Sequence, residues 1–279
     1  MSASLIALVT ALADDELIIG HRHSEWTGFA PHIEEDVAFS SIAQDEIGHA
    51  AALYGIVASL TDDDPDRLAL GRSKDEYRHA VICERPNREW SYTLARHWLY
   101  DNADDIRLEA LEGSAHEDLA ALATKVRREE RWHLLHADTW IRRIARGPVE
   151  GRTKLEDAVI AALPDAGGIF DPLELEEEAV KEGWLPVPSE EQRRRFTDRV
   201  AAALDDLGLP TEVARRIDES AEFVASSSGD LIASDDESAD GAEDPSAGAG
   251  GRRGRHTEDF DELWGVMTRT YRAHPGATW

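Results

Sequence analysis

The chain has 279 residues, 42% of them hydrophobic, and a single cysteine. That is enough for a sizeable core in one large domain or two small ones, and it excludes both a disulfide framework and a cysteine-based zinc or iron–sulfur site. Asp and Glu outnumber Lys and Arg by 57 to 30, a net charge of −27, so nucleic acid and anionic membranes are poor partners.

In chain order, residues 1–222 read as one helix after another. Apolar residues recur at spacings of three and four, and strand alternation is absent. Leu5–Ala13 has the apolarity of a signal segment but lacks a basic leader and runs into Asp14-Asp15-Glu16, so it reads as a helix face. No apolar run reaches the ~18 residues a membrane span needs, and the expected compartment is the cytoplasm. Long helices are predicted at about 3–25, 33–60, 88–113 and 115–146, punctuated by Pro31, Pro65, Pro86 and Gly147-Pro148. The stretch 66–84 reads as a connector with one short helix. Further helices are predicted at about 152–163, 172–183 and 190–207. Residues 226–255 are Ser, Gly, Asp and Ala with almost no large apolar group, a composition that predicts a disordered acidic, Gly-rich insertion bounded at 223–256. Residues 257–279 return to pattern: Phe260, Leu263, Trp264, Met267 and Tyr271 mark one helical face expected to pack back on the bundle. The basic residues are 26 Arg and 4 Lys. Such an acid-rich, Lys-poor balance fits a halophile-like surface in a salt-rich cytoplasm, where ions screen self-repulsion.

The four long helices carry polar residues in the middle of apolar stripes. The first stripe holds Leu8, Leu12, Glu16, Ile19 and His23; the second Ile42, Glu46, His49 and Leu53. The third holds Leu94, Trp98, Asp101, Asp105 and Leu108; the fourth Val126, Glu130, His133, Ala137 and Trp140. Four carboxylates converging in one core need a compensating charge. Two divalent cations held by Glu16, Glu46, His49, Asp101, Glu130 and His133 would supply it. One acid from each of two helices and a Glu-x-x-His from each of the other two is the di-iron carboxylate arrangement, and the i, i+3 spacing sets Glu and His on one face. Oxygen and imidazole donors suit iron or manganese. Glu16 precedes Glu46 by 30 residues and Asp101 precedes Glu130 by 29, as two helical hairpins with mid-helix sites require.

The same residues also permit two solvated, salt-bridged helix faces. A third Glu-x-x-His, Glu76 to His79, lies in the connector with no matching acid and reads as a chance match. Asp105, Glu109 and Glu112 rival Asp101, although spacing favours Asp101. His136 reads as a supporting or surface residue. His23 and His97 fall near the site, but a lone histidine on an apolar face is usually a satisfied core residue. Gly48 would permit close packing beside a metal.

Asp15-Glu16-Leu17-Ile18-Ile19-Gly20-His21-Arg22, Ser24-Glu25-Trp26, Ala30-Pro31 and Glu34-Glu35-Asp36 resemble the opening of the PaaC-type subunit of the phenylacetyl-CoA epoxygenase family. Glu130-Arg131-Trp132-His133-Leu134, and Gly254-Arg255-His256-Thr257-Glu258 through His274 to Trp279, resemble the same family. The resemblance implies an all-α, ferritin-like four-helix bundle with additional C-terminal helices. It implies a multicomponent monooxygenase in which a PaaA-type subunit holds the di-iron centre and epoxidises the ring of phenylacetyl-CoA with O₂, while a reductase supplies electrons. The PaaC-type subunit is the structural partner of PaaA, in aerobic phenylacetate catabolism. This chain departs from that pattern, because Gln44-Asp45-Glu46-Ile47-Gly48-His49 is closer to the catalytic PaaA type and all six ligand positions are filled. The expected role is therefore the structural partner, with or without two iron ions. The alternative is a chain that is itself a catalytic di-iron monooxygenase. An iron-storage or peroxide-scavenging role is disfavoured by the C-terminal motif.

Overall fold

Acidic first turns and apolar stripes build the frame. The computed structural model describes residues 2–209 and 250–277. Eleven α-helices and no strand occur among them: α1 Ala3–Ser24, α2 Ile33–Thr61, α3 Pro65–Leu70, α4 Val81–Glu84, α5 Trp90–Leu111, α6 Glu117–Ala145, α7 Val149–Ala166, α8 Glu176–Lys181, α9 Ser189–Leu207, α10 Glu258–Met267 and α11 Arg269–Ala273. The first turns of α2, α6, α9 and α10 carry Asp and Glu, which complement the positive end of the helix dipole. On α1, the Ser2 hydroxyl accepts from the Leu5 amide.

The hairpins α1–α2 and α5–α6 form a ferritin-like four-helix bundle. α7 and α9 pack on the outside of α5, so α5 is buried around most of its circumference. Phe39, Leu99, Ile106, Val126 and Ile141 fill the core among the four helices. Gly20 sets the closest approach of α1 to α2: a Cβ there would lie 2.9 Å from Ile47 Cγ1 and 3.3 Å from the Ala43 carbonyl oxygen. Gly48, expected to serve that purpose, has open space where its Cβ would be. It sits on the exposed side of α2.

Asp14, Asp15 and Glu16 are all buried, and each points to a different sector. Asp14 accepts from the Tyr54 hydroxyl and the Arg78 amide and pairs with Arg72 of the connector. Asp15 accepts from the Ala80 amide and pairs with Arg107 of α5 and Arg252. Burial works against the Asp15 charge, but Arg252 and Arg107 outweigh it and hold the carboxyl below its ordinary range. Glu16 turns into the bundle.

Of the expected insertion at 223–256, residues 223–249 lie outside the described residues, and 250–256 are fitted closely to the body. A Cβ at Gly251 would collide with the His79 carbonyl, and one at Gly254 with the Asp75 carbonyl. The Arg252 guanidinium is buried on Asp15 and also donates to the carbonyls of Arg78 and Ile169. Composition concealed this, because the anchor is one buried arginine flanked by glycines that permit close contact. The chain then runs into α10, whose Phe260 is fully buried against Tyr77 and His79. Arg22 donates to the Asp259 carbonyl, and the Trp264 indole to the Arg72 carbonyl. Trp184 packs against the core with its indole N–H on Glu182.

Candidate metal centre

The six side chains singled out by spacing all point inward, and all are buried. α1 supplies Glu16, α2 supplies Glu46 and His49, α5 supplies Asp101, and α6 supplies Glu130 and His133. His49 Nδ1 faces Glu16 at 3.3 Å and Glu130 at 3.2 Å. The Tyr100 hydroxyl donates to the other Glu16 oxygen at 2.8 Å. His133 Nδ1 donates to Glu130 at 3.0 Å. Glu46 is turned away from this group: both its oxygens face His23 Nδ1, at 3.1 and 2.9 Å. Asp101 makes no hydrogen bond among the described residues.

The two Glu-x-x-His segments brace each other. Nε2 of His49 on α2 donates to Glu129 of α6 at 3.0 Å, and Nε2 of His133 on α6 faces Asp45 of α2 at 3.3 Å. Each histidine is thus held by the acid that immediately precedes the other motif's glutamate. A carboxylate on the far nitrogen fixes the ring and aims Nδ1 into the bundle. His136 donates to Glu35 at 2.9 Å, a third bridge between α2 and α6.

The electrostatics show what the group lacks. Burial pushes the Glu46 carboxyl well above its ordinary range, and the nearby Glu130, Glu16 and Asp101 push it the same way. Asp101 is raised well above its range by burial, then by Glu130, Asp104 and Glu16. Burial opposes charge on His49, but Glu130 and Glu16 outweigh it and hold the imidazole up to about 11. Burial likewise opposes charge on His133, and Glu130 and Asp45 overcome it. Protons therefore supply the positive charge that the carboxylates demand. A small cavity of about 20 Å³, room for about one water molecule, abuts Glu16, His49 and Asp104, its remaining wall being leucine, alanine and valine.

The rivals on α5 sort cleanly. Asp105 pairs with Arg127 and Arg199, Glu109 with Arg127 and Arg195, and Glu112 with Arg127, all toward the surface. Asp104 falls outside the set expected from spacing; it is buried beside Arg107 and, by burial first, raised to about 8. Its signal is position, three residues past Asp101 on the same helix face. In the connector, Glu76 caps Ser73 rather than meeting His79. His79 instead donates to Glu84, which also takes His256 Nδ1 and the amide and hydroxyl of Thr257.

Donors of this kind, three to four carboxylates with two braced imidazoles in a water-poor bundle, fit a pair of divalent cations. Among the described residues no helix is long and apolar enough to cross a membrane. The family described as phenylacetic acid catabolic protein matches residues 1–223. The chain is 26% identical to the C component of the 1,2-phenylacetyl-CoA epoxidase of Escherichia coli (strain K12) over 278 residues, covering 99% of each. It is 24% identical to the A component of the same epoxidase over 205 residues, 68% of this chain and 65% of that one.

Proposed function

The chain belongs to the phenylacetic acid catabolic protein family, and on that premise we propose that it is the PaaC-type component of a phenylacetyl-CoA epoxidase complex. The observation that carries this reading is the end-to-end match to the C component, against a match to the A component that stops at two-thirds. In this role the chain supports a PaaA-type catalytic partner, with a reductase as electron source and the cytoplasm as compartment. Trp132 and Leu135 on α6, and Ile33 and Val37 on α2, are large apolar side chains left exposed. They offer the partner a surface on the two helices that the acid–histidine braces join. Co-expression with a PaaA-type chain tests this. The two are expected to co-purify, and Trp132→Glu with Val37→Glu to separate them while leaving this chain folded. Monomeric behaviour of both wild-type chains would end the reading.

A second reading is favoured by the inward burial of Glu16, Glu46, His49, Asp101, Glu130 and His133, with Glu16, His49 and Glu130 in mutual reach and Glu46 turned toward His23. In it the chain itself uses O₂. Two bound iron ions would supply O₂ binding and redox chemistry. Glu16, Asp101 and Glu130 would neutralise the ions, Glu129 and Asp45 would keep His49 and His133 aimed inward, and the Tyr100 hydroxyl would fix the Glu16 carboxylate. Leu12, Leu108 and Leu122 would keep bulk water from the Glu16 and His49 side of the centre. Epoxidation of phenylacetyl-CoA by this chain plus reductase, with no PaaA-type chain present, would establish it; activity of the full complex unchanged by Glu46→Ala with His49→Ala would remove it.

A further inference from the structure

Two more imidazoles face the candidate metal centre, and one of them, His97, does not behave as an ordinary core histidine. His23 lies two turns beyond Glu16 on α1, and His97 one turn before Asp101 on α5. Both are fully buried. Their rings meet edge to face at 5.0 Å, and Phe39 packs against each at 5.3 Å. His23 Nδ1 faces both oxygens of Glu46. His97 Nδ1 is 3.2 Å from Asp101 Oδ1, yet without hydrogen-bond alignment. Neither nitrogen of His97, neither oxygen of Asp101, nor His23 Nε2 has a hydrogen-bond partner among the described residues. A buried polar group left unpaired costs about 1–3 kcal/mol. A histidine kept merely for packing spends at least one N–H; His97 spends none.

One donor atom each from His23, Glu46 and His97 lies within 4.8 Å of the other two, and the same holds for Glu16, His49 and Glu130. We propose that His23, Glu46 and His97 form a nitrogen-rich cation position, with Asp101 at its side, next to the oxygen-rich position of Glu16, His49 and Glu130. This deepens the di-metal reading above and rests on it: the ion beside Glu46 draws its nitrogen from α1 and α5, outside the two Glu-x-x-His motifs. Two imidazoles and one carboxylate select a first-row divalent ion such as Fe²⁺, Co²⁺ or Zn²⁺ over Mg²⁺ or Ca²⁺. The two positions are therefore unequal. The nitrogen-rich one fills first with cobalt.

The test is anaerobic Co²⁺ titration of the metal-free full-length chain, read by visible absorption and by metal retained on dialysis. Wild type is expected to take up about two ions, the tighter one removed in His23→Leu/His97→Leu and the weaker one in His49→Gln. A double variant that binds cobalt as wild type does, with the same spectrum, overturns the assignment and leaves the di-metal reading standing. Wild type that binds no cobalt ends both. If the double variant fails to fold, the cobalt-loaded wild type decides: paramagnetically shifted imidazole N–H resonances from His23 and His97 are expected, and shifts confined to His49 and His133 overturn the assignment.

Discussion

At the scale of single residues, charge balance in the bundle makes the metal-free protein sensitive to pH. The folded-state pKa of Glu46 lies above its unfolded value near 4.5. Its contribution is whole below that value and is lost as the pH rises through the folded one. Asp104 acts in the same sense between 3.8 and about 8. Metal-free protein should melt lower as the pH climbs from 6.5 to 8, above the range in which the buried His23, His97 and His79 act the other way, and Glu46→Gln should flatten that slope; thermal melts across pH check it. His49, held up to about 11 with a carboxylate on each side, must shed its proton before it can ligate. Divalent ions should release protons into weak buffer on binding, and bind more tightly as the pH rises. The six inward side chains are legible because Glu-x-x-His and the 30- and 29-residue intervals are helix geometry written in the sequence. The role of His23 and His97 is not, because one histidine on an apolar stripe carries no sign of whether its nitrogens find partners. Asp104 is hidden by its neighbour: the stripe through Trp98 and Asp101 runs as readily to Asp105, and only the guanidiniums of Arg127 and Arg199 draw that residue outward.

At the scale of elements, two contacts decide how helices meet. Gly20→Ala would set a methyl group against Ile47 and the α2 backbone at the level of Glu46. Overpacking of this kind costs about 1–3 kcal/mol, to be seen as a lower urea midpoint, whereas Gly48→Ala should be neutral or stabilising. Glu84 fastens α10 to the body. Burial works to raise its carboxyl, but His256 and His79 outweigh it and hold it well below its ordinary range. Its contribution is present above the unfolded value near 4.5 and is lost as the pH falls through the folded one. Burial also lowers His79, so its contribution fades as the pH drops below 6.5. Both predict that acid loosens α10 first, which hydrogen exchange would detect as early loss of protection at Phe260 and Leu263. Glu84→Ala removes the acceptor for His79 Nε2, His256 Nδ1 and the Thr257 amide and should cost about 1–3 kcal/mol. The helices themselves are legible from apolar periodicity and Pro-Gly punctuation. The fastening is not, because Glu84 and His256 stand 172 residues apart in the chain.

At the scale of the whole molecule, the net charge of −27 sets the conditions under which the fold is comfortable. Exposed carboxylates repel one another over roughly a Debye length, about 10 Å at 0.1 M salt and 3 Å at 1 M. The melting temperature should rise from low to molar KCl; equal melts would mean that the surface arginine pairs already neutralise the repulsion. The interior poses a different constraint. Asp14 grips the connector, Asp15 grips α5 and the returning segment, and Glu16 turns to His49 and Tyr100 inside the bundle, all within one turn of α1. Successive residues diverge by about 100° around a helix, so deleting a single alanine upstream would rotate this triplet as a key turns in a lock. Each acid would then meet the wrong receptor. Hydrophobicity would hardly change, yet three distant regions would lose their anchorage together. The first helix thus works as the spindle on which the rest of the protein is indexed.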